Sequence, residues 1–232
     1  MNDSIFEKTE GNVTLKVLVD DSPLNPRTEY DNLGKILYTS SRYCLGDRQA
    51  EEEEIRSIME SDEYLWLPVY ACIHSGTRLS TAEFGDKWDS GMSGIVYVSM
   101  PDALKEWSKK RLTPKLREAI LGCLKTEVET FSQYLNGEVY GWVIEVDGGH
   151  VDSCWGFFGN PKELIEDNWA NALQAGEETR KAAEVAVAKK KEAVKSVFNN
   201  TEIAWNVNED GSATVRVDGK VFKVSVGEQE AR

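Results

Sequence analysis

Arg27, Arg42 and His74 are the side chains with which this chain could hold an anionic group such as a nucleotide phosphate. Asn25, Asp31, Asp89 and Asp152 are the polar groups that would orient the rest of such a ligand. Asn32 and Asp47 add donors and acceptors to the same stretch, and Pro23, Pro26, Gly34 and Gly46 shape the backbone that carries them. Most of these residues fall in one segment, Asp20 to Gln49, which has little helical or strand periodicity. Two readings of that segment are open. Arginines beside carboxylates form internal ion-pair networks that pin a long loop. Long ordered loops also carry ligand sites. On the second reading the pocket lies between loops 20–47 and 74–94, and its carboxylates could alternatively hold a divalent ion.

Motifs for known catalytic chemistry are missing. The sequence has no GxSxG, HExxH, Walker loop or GxGxxG. His74 and Ser75 are adjacent, but a nucleophile and its base normally converge from separate elements. His150, Asp152 and Cys154 alternate, so a regular strand would put them on one face and permit a Cys–His arrangement. A hairpin with a buried cysteine explains the same pattern. The four cysteines, Cys44, Cys72, Cys123 and Cys154, are widely spaced with no CxxC, and they read as buried or half-buried reduced thiols. No metal site and no cofactor are expected, since a zinc site needs about four ligands in close pairs.

The elements that must position these residues can be read from periodicity. Val13, Leu15, Val17 and Val19 alternate in a strand over Asn12–Asp20, and Gly34–Thr39 is a short extended segment. Asp47 is placed to cap a helix from about Arg48 to Glu60, with Glu51–Glu54 favoured by its N-terminal dipole. Leu65–Ile73 is a strand whose Pro68 signals an edge or a bulge, and Ile95–Ser99 is another. Pro101 opens a short helix and Thr113-Pro114 a longer one. In the longer helix Leu116, Ile120, Cys123, Leu124, Val128, Phe131 and Leu135 make an apolar stripe that Asn136-Gly137 ends. Glu138–Asp147 and Val151–Phe158 form a hairpin through DGGH. From Asn160-Pro161 a long helix runs to about Phe198 with a weak stripe at Leu164, Trp169, Leu173, Val187 and Val194, which leaves partial docking or self-pairing open. Ile203–Val207, Ala213–Val217 and Val221–Val226 then form a small meander. The expected fold is α+β: a mainly antiparallel sheet with packed helices over residues 1–160, a long helix over 161–199, and a three-stranded β-meander over 200–232.

Charge narrows the partners. The formal net charge is −13, and residues 1–100 hold 18 acidic against 9 basic side chains, residues 101–160 hold 9 against 7, and residues 161–232 hold 13 against 11. Phosphates repel such a surface, so direct nucleic-acid binding is disfavoured, whereas the basic groove of a nucleic-acid-binding protein attracts it. No apolar run reaches the roughly 18–20 residues that span a bilayer. The N-terminal stretch lacks a signal-peptide pattern, so a cytoplasmic protein with no membrane partner is expected.

Several blocks carry a resemblance: SPLNPRTEYDNLG with RYCLGD, HSGTRLST with WDSGMSGIVYV, EVETFSQYLNGEVYG, and DSCWGFFG. Over residues 12–160 they resemble an uncharacterised protein family carried by phages, plasmids and bacterial genomes. The chain departs from the form usual there at Thr28, where an acidic residue follows NPR, and at Met92, where a Gln follows WDSG. The resemblance implies a mobile-element accessory protein and supplies no reaction. The expected function is therefore binding to and interference with a host system, as an anti-defence inhibitor acting by acidic charge mimicry, rather than catalysis. The expected partner is a host protein, with a homodimer through the 161–199 helix left open. The alternative is a nucleotide- or metal-binding protein or enzyme using the two loops.

Overall fold

A computed structural model describes residues 4–74, 76–85, 90–197, 204–207, 212–217 and 220–224. It is α+β, with the strands in three sheets that are antiparallel apart from one short pairing. The chain divides into two compact units, Met1–Leu173 and Gln174–Arg232, so the division falls inside the long helix rather than at Asn160.

In the first unit β1 (Phe6–Glu10), β2 (Val13–Val19), β8 (Val139–Val146) and β9 (Gly149–Phe158) form a four-stranded sheet in that order. The alternation expected of β2 is present: Val13, Leu15 and Val17 are buried and face Val146, Ile144 and Trp142 across β8. The turn between β8 and β9 has Asp147 and Gly148 at φ 53° and 75°, a mirror-image turn that suits the twist of a hairpin. The polar β1, FEKTE, was not anticipated, because an edge strand with one exposed face gives no apolar run. Helix α5 (Pro161–Val197) begins in this unit. The Lys8 ammonium lies 4.2 Å from the centre of the Trp169 ring, and Ala172 is fully buried. Those contacts explain why the first turns of α5 belong with the sheet.

The second sheet of this unit is five-stranded. Its strands are β3 (Lys35–Tyr38), β4 (Arg48–Gln49), β5 (Tyr64–Ile73), β6 (Thr77–Ser80) and β7 (Ser90–Ser99), in the order β4-β3-β7-β5-β6. Pro68 pairs with β7 on one side, and β6 covers only Tyr70–Ile73 on the other, so no ladder donor is required of it. One face packs on α3 (Met100–Glu106) and α4 (Pro114–Leu135). Ser99 caps α3, and Thr113 caps α4 by accepting from Leu116 N at 3.2 Å. The predicted stripe of α4 is buried at Leu116, Ile120, Leu124, Val128 and Phe131, against Ile36, Val96 and Val98. Each such side chain contributes roughly 1.5–3 kcal/mol on burial. The opposite face of the sheet, with Leu37 and Ile95, packs on α2 (Glu52–Glu60) through Ile55 and Ile58.

In the second unit, β10 (Ala204–Val207), β11 (Ala213–Val217) and β12 (Lys220–Val224) pair antiparallel in sequence order, as the meander predicts. The expected turns at Asn208–Gly211 and Asp218-Gly219 lie outside the described residues.

Candidate functional site

The short helix α1 (Pro26–Glu29) holds Arg27 in place, with Asn25 as its cap accepting from Arg27 N at 2.9 Å. The Arg27 side chain is only 4% exposed, and all of its nitrogens are engaged. Nε and Nη2 make a two-point contact to Asp47 Oδ1 and Oδ2 at 2.8 and 2.6 Å. Nη2 also donates to the Gly34 carbonyl at 2.7 Å. Nη1 donates to Asn32 Oδ1 at 2.7 Å and to Glu127 Oε2 at 3.2 Å. The planar fork of an arginine suits such a set, and a lysine cannot fill it.

The acceptors are themselves tied down. Asn32 donates to the carbonyls of Pro26 and Tyr30, at 2.8 and 2.7 Å. Asp47 Oδ2 accepts from Ile36 N at 2.7 Å, and Glu127 accepts from Leu33 N at 2.6 Å and Gly34 N at 3.1 Å. Gly34 is required by close approach, because a Cβ there would lie 2.4 Å from Leu124 Cδ2. Burial works against the Arg27 charge, but the hydrogen bonds and charges of Asp47 and Glu127 outweigh it and hold the guanidinium above its ordinary pKa. The cluster is a closed clasp fastening the 25–47 loop to α4. It has no guanidinium donor left for a ligand.

This outcome corrects two expectations. Asp47 does not cap a helix: its carboxylate goes to Arg27 and Ile36 N, the chain after it forms β4, and α2 starts at Glu52. Of the two readings of the Asp20–Gln49 segment the ion-pair network is the one formed: Asn25, Arg27, Asn32 and Asp47, also nominated as ligand-binding groups, bond to one another and to the protein backbone. Glu127, the partner that completes the clasp, was missed. It sits 100 positions from Arg27 on α4, beside an apolar stripe, and nothing local marks it.

The other nominated residues that the structure describes do not join this cluster. Arg42 is exposed, its guanidinium 6.0 Å from the centre of the Tyr43 ring. Asp31 is exposed on the wall of a cleft of about 410 Å³ with Trp107, Cys123 and Glu127. His74 is exposed at the end of β5, its N–H donating to the Gly76 carbonyl at 3.2 Å. Asp89 and Ser75 lie outside the described residues. Asp152 is exposed on β9 and accepts from Ser153 N.

The Cys–His arrangement on β9 is not formed. A bulge falls where Glu145 pairs with His150 and the next pair joins Ile144 to Asp152. Val151 is the extra residue, so His150 points to the opposite face from Asp152 and Cys154. Cys44 and Cys154 are exposed, against the expectation of burial, while Cys72 and Cys123 are half-buried and all four thiols are free. Burial, and then the carboxylates of Glu127 and Glu106, push the Cys123 thiol up from its ordinary pKa. Among the described residues no group of three His, Cys, Asp or Glu side chains is arranged to hold a metal ion.

Loops 20–47 and 74–94 do approach one another, but at a different place. Thr39 at the end of β3 and Met92–Gly94 of β7 line a slot of about 290 Å³. Its remaining wall is α2, through Glu52, Ile55, Arg56 and Met59. None of the nominated residues among those described lines it. Its form follows from a second bulge: Pro68 pairs with Ile95 and Tyr70 with Met92, so Ser93 is the extra residue. That insertion puts Met92 on the α2 side of the sheet with Ile95 and Tyr97.

Helix α2 supplies the remaining feature. Residues 51–63 contain seven carboxylates and one cation, Arg56. Glu51–Glu54, Glu60, Asp62 and Glu63 are all exposed, because Ile55 and Ile58 turn the other side of the helix to the core. Arg48 pairs with Glu54 and lowers its pKa by hydrogen bonding.

The fold and these surfaces define an α+β protein with a charge-sealed loop and an acidic helical ridge. Comparison with known proteins gives no match: no family model, no curated protein and no solved structure is similar to the chain. Among the described residues no helix is long and apolar enough to cross a membrane.

Proposed function

We propose that the chain is an accessory protein of a phage or plasmid that binds a basic protein of the host cytoplasm and interferes with it, its carboxylates standing in for nucleic-acid phosphates. The observation that carries this reading is the exposed acidic ridge of α2. Nine helical residues span about 14 Å. Glu51–Glu54 crowd its first turn and Glu60 closes its end, five exposed carboxylates over about that length, a charge density of the same order as that of duplex DNA. The resemblance of the NPR, RYCLGD, WDSG and DSCWGF blocks to a family of mobile elements supports the host-directed part. A nucleotide pocket built on Arg27, Asn32 and Asp47 gains no support, since those groups are spent on one another.

Capture of the tagged full-length chain's partners from a bacterial lysate, at low and at high salt, tests the reading. A basic protein released by salt is expected, and it should be lost when Glu51, Glu52 and Glu53 are changed to Gln. Binding that is indifferent to salt rules out charge mimicry.

A further inference from the structure

The slot beside α2 has a chemistry of its own. Ile55 and Met59 of α2 line one side of it with Glu52 and Arg56, and Met92, placed there by the Ser93 bulge and 45% exposed, lines the other. Gly94 keeps the slot's base flat against β3: a Cβ on it would lie 1.9 Å from the Leu37 carbonyl oxygen. Methionine is unbranched and polarizable, and it adapts to the shape of a docking side chain. Glu52 is shared between the slot and the acidic ridge. The apolar opening therefore lies beside the carboxylates of the first turn of α2, with Arg56 as the one cation at its edge.

We infer that this slot takes one aliphatic side chain from a lysine- or arginine-rich segment of a protein partner, whose flanking cations lie along Glu51–Glu54. The inference rests on the proposed basic partner and adds where and how it is anchored. Charge complementarity selects the occupant: a second copy of this acidic chain is repelled, and a purely apolar peptide leaves the carboxylates without counter-charges. A nucleic acid has the wrong charge and no aliphatic side chain to insert. Charge brings such a segment to the ridge and governs the association rate, while the buried side chain sets register and slows release.

The test uses the full-length chain with 13C-labelled methionine methyl groups. The four methionines are Met1, Met59, Met92 and Met100, and substitution of Met59 and Met92 by Leu assigns the two slot signals. The probes are the capped peptides Lys-Lys-Leu-Lys-Lys and Lys-Lys-Gly-Lys-Lys. The leucine peptide is expected to shift Met59 and Met92 saturably and to leave Met100, which packs on the other face of the sheet, unmoved. The glycine peptide should bind about tenfold more weakly, the worth of one buried aliphatic side chain. Met92→Gln, at an exposed position, should reduce the leucine peptide to the glycine level. Equal, salt-sensitive binding of both peptides with both methionine signals unmoved overturns the slot and leaves the charge reading in place. No binding of either peptide at low salt overturns both.

Discussion

Two clusters of charge in this chain are built from the same residue types and do opposite things. At the clasp, Arg27 is buried between Asp47 and Glu127, and every partner is bonded a second time to backbone or side chain. On α2 the carboxylates outnumber cations, point outward and are exposed. A charge withdrawn from water must be matched in place, whereas a charge left in water is free to meet a partner. The clasp is therefore a stability device, and the ridge a surface for recognition. Each variant below separates the two roles.

The largest effect is expected at the clasp. Arg27→Ala strands two carboxylates and the Asn32 amide, and should cost about 3–5 kcal/mol, the range for breaking a buried ion pair by removing one partner. Arg27→Lys should recover only part of this, because an ammonium cannot reproduce the two-point contact to Asp47. Urea unfolding of the two variants measures both. If Arg27→Ala is as stable as the parent chain, the clasp is not what holds the loop.

Gly34→Ala tests the same region without touching charge. The added methyl meets Leu124 and Val96, and overpacking of this kind costs typically about 1–3 kcal/mol. Thermal unfolding should show a drop smaller than that of Arg27→Ala. A larger drop would mean that backbone packing on α4, and not the ion pairs, dominates the loop's attachment.

On the ridge, a triple Glu→Gln change at positions 51, 52 and 53 should alter stability by less than about 0.5 kcal/mol. Neutralising acids in a first helical turn loses a few tenths of a kcal/mol each, and relief of their mutual repulsion offsets this. The same variant should lose the salt-sensitive partner. Loss of folding together with binding would put the ridge in the same class as the clasp.

Much of this architecture is legible in the sequence, for identifiable reasons. Thr113-Pro114, the stripe from Leu116 to Phe131 and the Asp147-Gly148 turn are local signals, set by spacing and backbone preference, and the structure shows each. The loop between Asp20 and Gln49 was recognisable as special, and the ion-pair network was one of its two readings, but the choice between them was not legible. A network of arginine, asparagine and aspartate has the same composition whether it waits for a ligand or is closed by Glu127 from a distant helix. Two of the bulges were equally hidden: one extra residue at Ser93 or Val151 reverses a face, and alternation read along one strand cannot register what pairs across it. Those insertions placed Met92 on the slot and turned His150 away from Cys154.

The smallest effect belongs to a third kind of charge pairing, on the exposed surface of α5. There Arg180 bonds Glu177 at 2.7 Å and Glu184 at 2.5 Å, and Lys181 lies 3.4 Å from Glu177. The hydrogen bond from Arg180, with help from Lys181, lowers the Glu177 pKa to about 2. A carboxyl depressed in the folded state adds stability above its unfolded pKa, near 4.5. That contribution fades as pH falls through the folded value, about 2. Solvent screens the pair, and linkage ties the titration of Glu177 to stability, so its loss should move both by only a small amount. Following the Glu177 side-chain carboxyl carbon by NMR should give a midpoint below the ordinary 4.5 in the parent chain, moving towards it in Arg180→Ala. If both effects are small beside the loss in Arg27→Ala, what separates the clasp from exposed charge is burial. A comparable loss of stability would mean that exposed pairs also hold this chain together, and would narrow the contrast on which the functional reading of α2 depends.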